Sequence, residues 1–440
     1  MKKAFIQTFG CQMNEHDSRR METILIRDGY IIVNEMAQAD LVLINTCSVR
    51  KNPENKVYSL LGRLSRMKRK NPDLIIGIGG CVAQQEGEKI LKREKSVNLV
   101  FGTDNIFRLP EMLADVKTGK RVIHTDWMPR EKKIQNFIPR TEIKTGQTNN
   151  AKALIAITKG CDNFCSFCIV PTTRGRLVSR EKENILSEAK DLISKGAREI
   201  QLLGQNVNAY RAGETGFYEL LQAVSDLEGL RRLRFTSPHP NDWNNRLSDL
   251  MSTRPVICNQ IHLPFQVGSD RMLALMRRGH TTAEYLEKIQ YLKQVIPDIA
   301  ISTDIIVGFP GETEAEFRET LHVIETVRFN LVYAFVYSER PGTRAASMVD
   351  DVPQPEKDER LQRLLKVQKT IQSELLDQLI GSTQEILIDG VHPREKAAMI
   401  GRNDGNIPFM IPGCDLQIGE MVLVKTSGRR QFSLIGELLN

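Results

Sequence analysis

The window Gly160-Cys161-Asp162-Asn163-Phe164-Cys165-Ser166-Phe167-Cys168 constrains this chain most, because it crowds three of the eight cysteines together. Thiolates that close repel one another unless a soft cation shares their charge. The spacing i, i+4, i+7 is also that of a buried helix face, where free cysteine packs readily. Gly160 ahead of the window and Pro171 behind it favour a loop instead, as does the strand-like run Ala153-Leu154-Ile155-Ala156-Ile157 leading in. Structural zinc takes four protein ligands, and no His or fourth Cys stands nearby in sequence. The donor set therefore predicts an iron–sulfur cluster on three cysteines, with one iron left open to a small molecule.

A chain of 440 residues exceeds a single core and predicts two to three domains at about 150 residues each. The opening Met1-Lys2-Lys3-Ala4-Phe5-Ile6 carries charge but no apolar run of signal-peptide length, and nothing approaches the ~20 apolar residues of a membrane span. A soluble, cytoplasmic protein with no membrane partner is expected, and there eight cysteines are poor candidates for disulfides. The net charge of +7 permits a polyanionic partner without requiring one. Basic residues gather at Arg63, Arg66, Lys68, Arg69 and Lys70 and again between Lys117 and Lys144, where a linker over 119–150 is expected.

Residues 1–118 alternate short apolar runs with amphipathic segments. Strands are predicted at Ala4–Phe9, Leu41–Asn45, Leu74–Gly79 and Asn98–Phe101, and helices near 17–28, 53–69, 83–93 and 105–116. That rhythm implies an open parallel α/β sheet. Cys11, Cys47 and Cys81 each fall just past the carboxyl end of one of these strands. Such ends share one edge, where ligands bind, so three cysteines distant in sequence are expected to converge into a second three-thiol cluster site.

These strings carry a resemblance. Cys161-x3-Cys165-x2-Cys168, with an aromatic before the last cysteine, resembles the cluster loop of the radical S-adenosylmethionine (SAM) enzymes. Thr8-Phe9-Gly10-Cys11-Gln12-Met13-Asn14-Glu15-His16-Asp17-Ser18, Asn45-Thr46-Cys47-Ser48-Val49-Arg50 and Gly79-Gly80-Cys81-Val82-Ala83-Gln84-Gln85 resemble the N-terminal domain of the methylthiotransferases. The resemblance implies two [4Fe-4S] clusters, SAM, and cleavage of SAM to a 5′-deoxyadenosyl radical. It also implies an external low-potential electron donor and a sulfur source. The family's branches act on tRNA isopentenyladenosine, on tRNA threonylcarbamoyladenosine and on an aspartate of a ribosomal protein. Cys-Gln-Met-Asn-Glu is similar to the first branch, which makes the anticodon stem-loop of tRNA the expected partner. A non-catalytic, zinc-stabilised RNA-binding protein is the rival from another class.

Over 151–379 a second βα series is predicted, with strands at 153–158, 199–204, 230–235, 260–263, 300–307 and 331–336. Helical patterns fall at about 180–195, 217–227, 243–252, 270–295 and 314–327, and six units imply a partial (β/α)6 barrel of radical SAM type. By resemblance, Gly204, Gln205 and Asn206 orient the amino group of SAM, Gln266 and Ser269 meet its ribose, and Asp304 and Gly308 lie by its adenine. Arg174 is expected either to pair with the SAM carboxylate or to buttress the loop. His239 and His262 are candidate acid–base groups, although hydrogen abstraction asks for no strong base. Cys258 and Cys414 read as buried packing. Residues 358–379 read as an amphipathic helix, with Leu361, Leu364, Leu365, Gln368, Ile371, Leu375 and Leu379 on its apolar side. Residues 380–440 read as a small antiparallel β-barrel resembling a TRAM RNA-binding module, though acidic residues slightly outnumber basic ones there. A monomer is expected.

Overall fold

The computed structural model describes residues 1–48, 51–129 and 151–439. The expected linker lies outside the described residues from position 130 onward, as do Val49 and Arg50 of the second cysteine motif. The chain forms two compact units. One is built from 1–129 with Thr158–Asp162 and Cys168–Arg180, the other from 151–157, Asn163–Phe167 and 181–439.

The first unit is an all-parallel sheet of β1 (Lys2–Thr8), β2 (Tyr30–Ile32), β3 (Leu41–Thr46), β4 (Ile75–Gly80), β5 (Leu99–Phe101) and β6 (Val122–His124), in the order β2-β1-β3-β4-β5-β6. β3 and β4 are buried along their whole length, which is why they read as unbroken apolar runs. Leu41 and Leu43 pack with α1 (Gln12–Arg27) and, past the intervening helices, with Leu109–Lys117. Val42 and Ile44 point the other way, against α2 (Lys51–Lys70), α3 (Cys81–Glu86) and α4 (Glu88–Arg93). The sheet is thus doubly wound. The helix expected over 83–93 is two, broken at Gly87, whose φ of 46° no helix interior allows. β2 and β6 are three-residue edge strands, too short for alternation to reveal.

In the second unit β7 (Lys152–Ala156), β8 (Glu199–Leu203) and β9 (Arg232–Phe235) form one parallel arc, and β10 (Gln260–His262), β11 (Ala300–Val307) and β12 (Leu331–Val336) another. A parallel bridge from Leu233 to Ile257 joins them. The six strands therefore form one open wall in chain order around a continuous apolar core. The helix expected over 270–295 breaks into Asp270–Leu275 and Thr282–Val295, because Arg277 and Gly279 turn left-handed at φ 54° and 70°. Thr281 then caps the new helix with Glu284, a Thr-x-x-Glu box present in the sequence. The amphipathic helix runs over Gln354–Asp377 and buries Leu364, Gln368 and Ile371, while Leu365 is exposed.

The C-terminal strands β13 (Thr383–Val391), β14 (Ala398–Arg402), β15 (Pro408–Pro412), β16 (Met421–Arg429) and β17 (Leu434–Leu438) close a barrel in the order β13-β14-β15-β17-β16. Its pairs are antiparallel except β15–β17. Two arginines fasten it to the central wall. Alternation along β9 sends Leu233 and Phe235 into the core and Arg232 and Arg234 to the opposite side. Arg232 donates to the carbonyls of Arg402 (2.7 Å) and Glu385 (2.8 Å), and Arg234 to those of Asp404 (2.7 Å) and Asn403 (2.9 Å). Lys152 adds an ion pair to Asp389 at 2.7 Å. These anchors sit towards the amino-terminal ends of β7 and β9. Among the described residues no helix is long and apolar enough to cross a membrane.

Candidate metal centres and cofactor edge

Cys11, Cys47 and Cys81 follow β1, β3 and β4 directly, as their sequence positions predict. A run of buried amides stitches the three junctions together. Asn14 Oδ1 accepts from the Cys11 backbone N and thiol, both at 3.4 Å, while its Nδ2 donates to Asn45 Oδ1 (3.1 Å) and the Thr46 carbonyl (3.0 Å). Asn45 Nδ2 returns a bond to the Asn14 carbonyl at 2.8 Å and another to Ser18 Oγ at 2.9 Å. Thr46 Oγ1 reaches the Gly79 carbonyl at 2.6 Å. Since buried polar groups are costly unless paired, this closed network holds the three loops in one arrangement. Gly80 is needed for it: φ is +94°, and a Cβ there would lie 2.4 Å from the Thr46 carbonyl oxygen.

The Cys11 thiol is lowered to about 6, first by a hydrogen bond from Cys47 and then by the Arg174 guanidinium, against the opposing effect of burial. Arg174 is itself buried and ion-paired with Asp17 at 2.9 Å. Burial opposes its charge, but Asp17, Cys81 and Cys11 together strengthen it. Burial opposes ionisation of Asp17 too, and Arg174 still holds its carboxyl well below the usual range. The Arg174 charge is engaged by Asp17 and felt by Cys81 and Cys11.

The window 161–168 is a loop, not a helical stripe. In the first unit, Thr158–Lys159 pairs antiparallel with Val178–Ser179, and Cys161 N donates to the Gly175 carbonyl at 3.1 Å. Asp162 Oδ1 accepts from Arg176 Nε (2.6 Å) and Leu177 N (3.1 Å). A short helix, Val170–Arg174, then follows with Pro171 in its first turn. In the second unit, Ser166 N and Oγ bond to the carbonyls of Met276 (3.0 Å) and Leu275 (2.8 Å).

At the carboxyl edge of the wall the expected cofactor residues divide. Gly204, Gln205 and Asn206 follow β8; Asn206 is buried, donates to Asp242 at 2.7 Å, and leaves Oδ1 without a hydrogen-bond partner. Gln266 follows β10 in a left-handed turn (φ 79°), its backbone bonded to the Asp304 carbonyl at 2.9 Å. Asp304 Oδ2 lies 3.3 Å from His262 Nε2, and His262 Nδ1 lies 3.0 Å from Ser302 Oγ. Ser269 and Gly308 have close protein neighbours. Ser269 is 3 % exposed and its hydroxyl is used twice, capping Met272 N and donating to Glu316. Gly308 makes room for the Lys357 side chain, which would lie 2.3 Å from a Cβ there, so the gap beside it is filled by protein. His239 is no acid–base group near neutrality, since burial and then Arg278 lower it to about 2. Cys258 is buried as expected, whereas Cys414 is only half-buried.

Glu316 shows how tightly this edge is built. Burial opposes its charge, yet bonds from Arg271 (2.7 Å), Thr313 (2.8 and 2.9 Å) and Ser269 (3.0 Å) lower it from 4.5 to about 2. A folded-state value below the unfolded one stabilises the protein above pH 4.5 and loses that contribution as pH falls towards about 2. Glu316→Gln is expected to flatten the acid limb of a thermal-unfolding profile in that window, and an unchanged limb would refute the assignment.

Three family descriptions match the chain in order: Uncharacterized protein family UPF0004 over residues 3–102, Radical SAM superfamily over 155–324 and TRAM domain over 377–439. A curated relative from Geobacter metallireducens, tRNA-2-methylthio-N(6)-dimethylallyladenosine synthase, is 43% identical over 99% of this chain and 98% of its own length. The protein of the same name from Aquifex aeolicus is 43% identical over 100% and 99%. The chain belongs to the tRNA-2-methylthio-N(6)-dimethylallyladenosine synthase family. It is a radical SAM enzyme, and membership carries with it SAM and a [4Fe-4S] cluster. Among solved structures, the radical SAM methyltransferase TsrM from Kitasatospora setae superposes with a TM-score of 0.61 at 14% identity, covering 79% of this chain and 75% of that one. The cobalamin-dependent radical enzyme OxsB gives 0.54 at 12% identity, over 85% and 56%. Both likenesses concern the fold.

For a member of this family the six cysteines offer a consistent donor set. Among the described residues no three His, Cys, Asp or Glu side chains close on one metal ion. A cubane asks for one thiolate per iron, which sets its ligands further apart than those around a single ion. Thiols alone, a buried guanidinium beside Cys11 and Cys81, and a glycine where a side chain would collide all suit such a group. Sequence reasoning gave no role to Asn14, Asn45 and Asp17, although all three stand inside the motifs around Cys11 and Cys47. A buried amide has no periodic signature, and only the pairing across strands reveals its use.

Proposed function

We propose that this enzyme inserts a methylthio group at C2 of N6-isopentenyl (dimethylallyl) adenosine beside the anticodon of tRNA. The carrying observation is full-length identity of about 43% to relatives bearing that activity in their name, with all three domains in register. The chemistry agrees. Adenine C2–H is not acidic enough for a side-chain base, so a cofactor has to break it.

Cys161, Cys165 and Cys168 would hold the SAM-binding cluster, and Cys11, Cys47 and Cys81 a second one. When bound, these groups and SAM supply the radical that removes hydrogen and the sulfur that replaces it. The chain's own part is positioning. The Asn14–Asn45–Thr46 network fixes the second trio, Arg174 offsets negative charge gathered there, and Asn206, Gln266 and Asp304 offer polar atoms at the strand ends where SAM is expected. A low-potential electron donor and a sulfur source complete the requirements, and the protein is read as a monomer.

Anaerobically reconstituted protein, given reductant, SAM, sulfide and an isopentenylated anticodon stem-loop, should add a methylthio group detectable by mass spectrometry of the nucleosides. No product beside an active control would overturn the reading. Product only on a threonylcarbamoyladenosine stem-loop, or on a ribosomal-protein aspartate, would move the enzyme to another branch.

A further inference from the structure

We propose that Arg278 is a positioning residue for the SAM-binding cluster, its guanidinium donating to the sulfur of Cys165 and favouring uptake of an electron there. The proposal rests on the reading of Cys165 as a cluster ligand. Arg278 Nη1 lies 3.3 Å from Cys165 Sγ, and Nη2 donates to the Pro264 carbonyl at 2.7 Å. The residue is only 5 % exposed, and Nε has no hydrogen-bond partner.

A guanidinium stays charged at any working pH, and a buried charge is costly without an anionic partner. Among the described residues no carboxylate forms an ion pair with Arg278, so Cys165 is the contact able to carry a compensating charge. The backbone is arranged to hold that contact. Arg278 follows Arg277 and precedes Gly279, both left-handed, and a Cβ on Gly279 would come within 2.4 Å of Asn241 Nδ2. Arg278 N is bonded to the Leu273 carbonyl at 2.9 Å, and its own carbonyl lies 3.1 Å from His280 Nδ1. On the other side, Ser166, next to Cys165, is tied by the backbone and side-chain bonds described above to Leu275 and Met276. Donor and acceptor are thus clamped to the same short segment.

Hydrogen bonds and positive charge at a ligand sulfur stabilise the more negative, reduced form of a cluster and so raise its potential. Such tuning suits an enzyme whose cluster must accept an electron from a low-potential donor. A purely mechanical role would hold the loop and leave the potential where it is.

Full-length Arg278→Gln and Arg278→Lys, reconstituted as the wild type, separate these roles through iron content and a redox titration of the EPR signal that responds to added SAM. Arg278→Gln is expected to shift the reduction equilibrium about tenfold towards the oxidised form, about 59 mV lower for a one-electron couple. Arg278→Lys, which keeps the charge without the planar fork, should fall between. Full iron with an unchanged midpoint in Arg278→Gln would overturn the proposal. If Arg278→Gln loses iron, the midpoint of Arg278→Lys decides in the same way. Loss of iron from both would make Arg278 a structural clamp and equally overturn it. Wild-type protein that neither shows a SAM-responsive signal nor cleaves SAM would instead sink the reading of Cys161, Cys165 and Cys168 as ligands, a result independent of Arg278.

Discussion

Cys161→Ala, Cys165→Ala and Cys168→Ala are each expected to abolish SAM cleavage and methylthiolation together, whereas Cys11→Ala, Cys47→Ala and Cys81→Ala should abolish methylthiolation and spare SAM cleavage. The loss in each case should exceed the 10- to 100-fold that removal of an outer-shell partner brings, because on the proposed reading a ligand itself is taken away. The split follows from the two donor sets. The first trio stands on the loop behind β7 and ahead of the barrel strands, whereas the second caps the strands of the doubly wound sheet. Iron analysis and quantification of 5′-deoxyadenosine and modified nucleoside would check it. A Cys47→Ala enzyme that still turns over the stem-loop would refute the role of the second trio. A Cys161→Ala enzyme that still cleaves SAM would refute the first.

The parts of this protein legible in sequence are those written in periodicity and in chemistry too unusual to be packing. β3 and β4 show as apolar runs, the six-strand wall as a βα rhythm, and the cysteines as residues placed after strands. What stayed hidden lies across the chain. Arg232 and Arg234 look like an ordinary basic strand until their partners prove to be carbonyls of the small barrel. At Ser269 and Gly308 a polar or small residue at a strand end suits either a ligand or a cap, and their contacts with Glu316 and Lys357 could not be read from sequence. Arg174 was visible, but its direction was not, since the Asp17 that turns it towards Cys11 and Cys81 is far away in sequence. The broken helix at 277–279 could have been foreseen from the Thr281-x-x-Glu284 box.

Gly80→Ala is expected to cost on the order of 3–5 kcal/mol of stability and to empty the second trio of iron while SAM cleavage persists. Two effects add. At φ +94° any side chain strains the backbone, and here a Cβ would also stand 2.4 Å from the Thr46 carbonyl oxygen and 2.5 Å from Asn45 Oδ1. Neither neighbour can yield, because Asn45 is bonded to Asn14 and Ser18, and Thr46 is a residue of β3 paired to β4. The junction that carries Cys81 would therefore move off the one that carries Cys47. Gly119→Ala isolates the packing term: its φ is +88°, nearly the same, but nothing lies within 4 Å of its Cβ. Gly119→Ala should lose only the backbone share, about 1–3 kcal/mol, and keep its iron. If thermal unfolding and iron content prove the same in both variants, the close approach at Gly80 does not hold the second trio together, and the amide network alone must be credited with it.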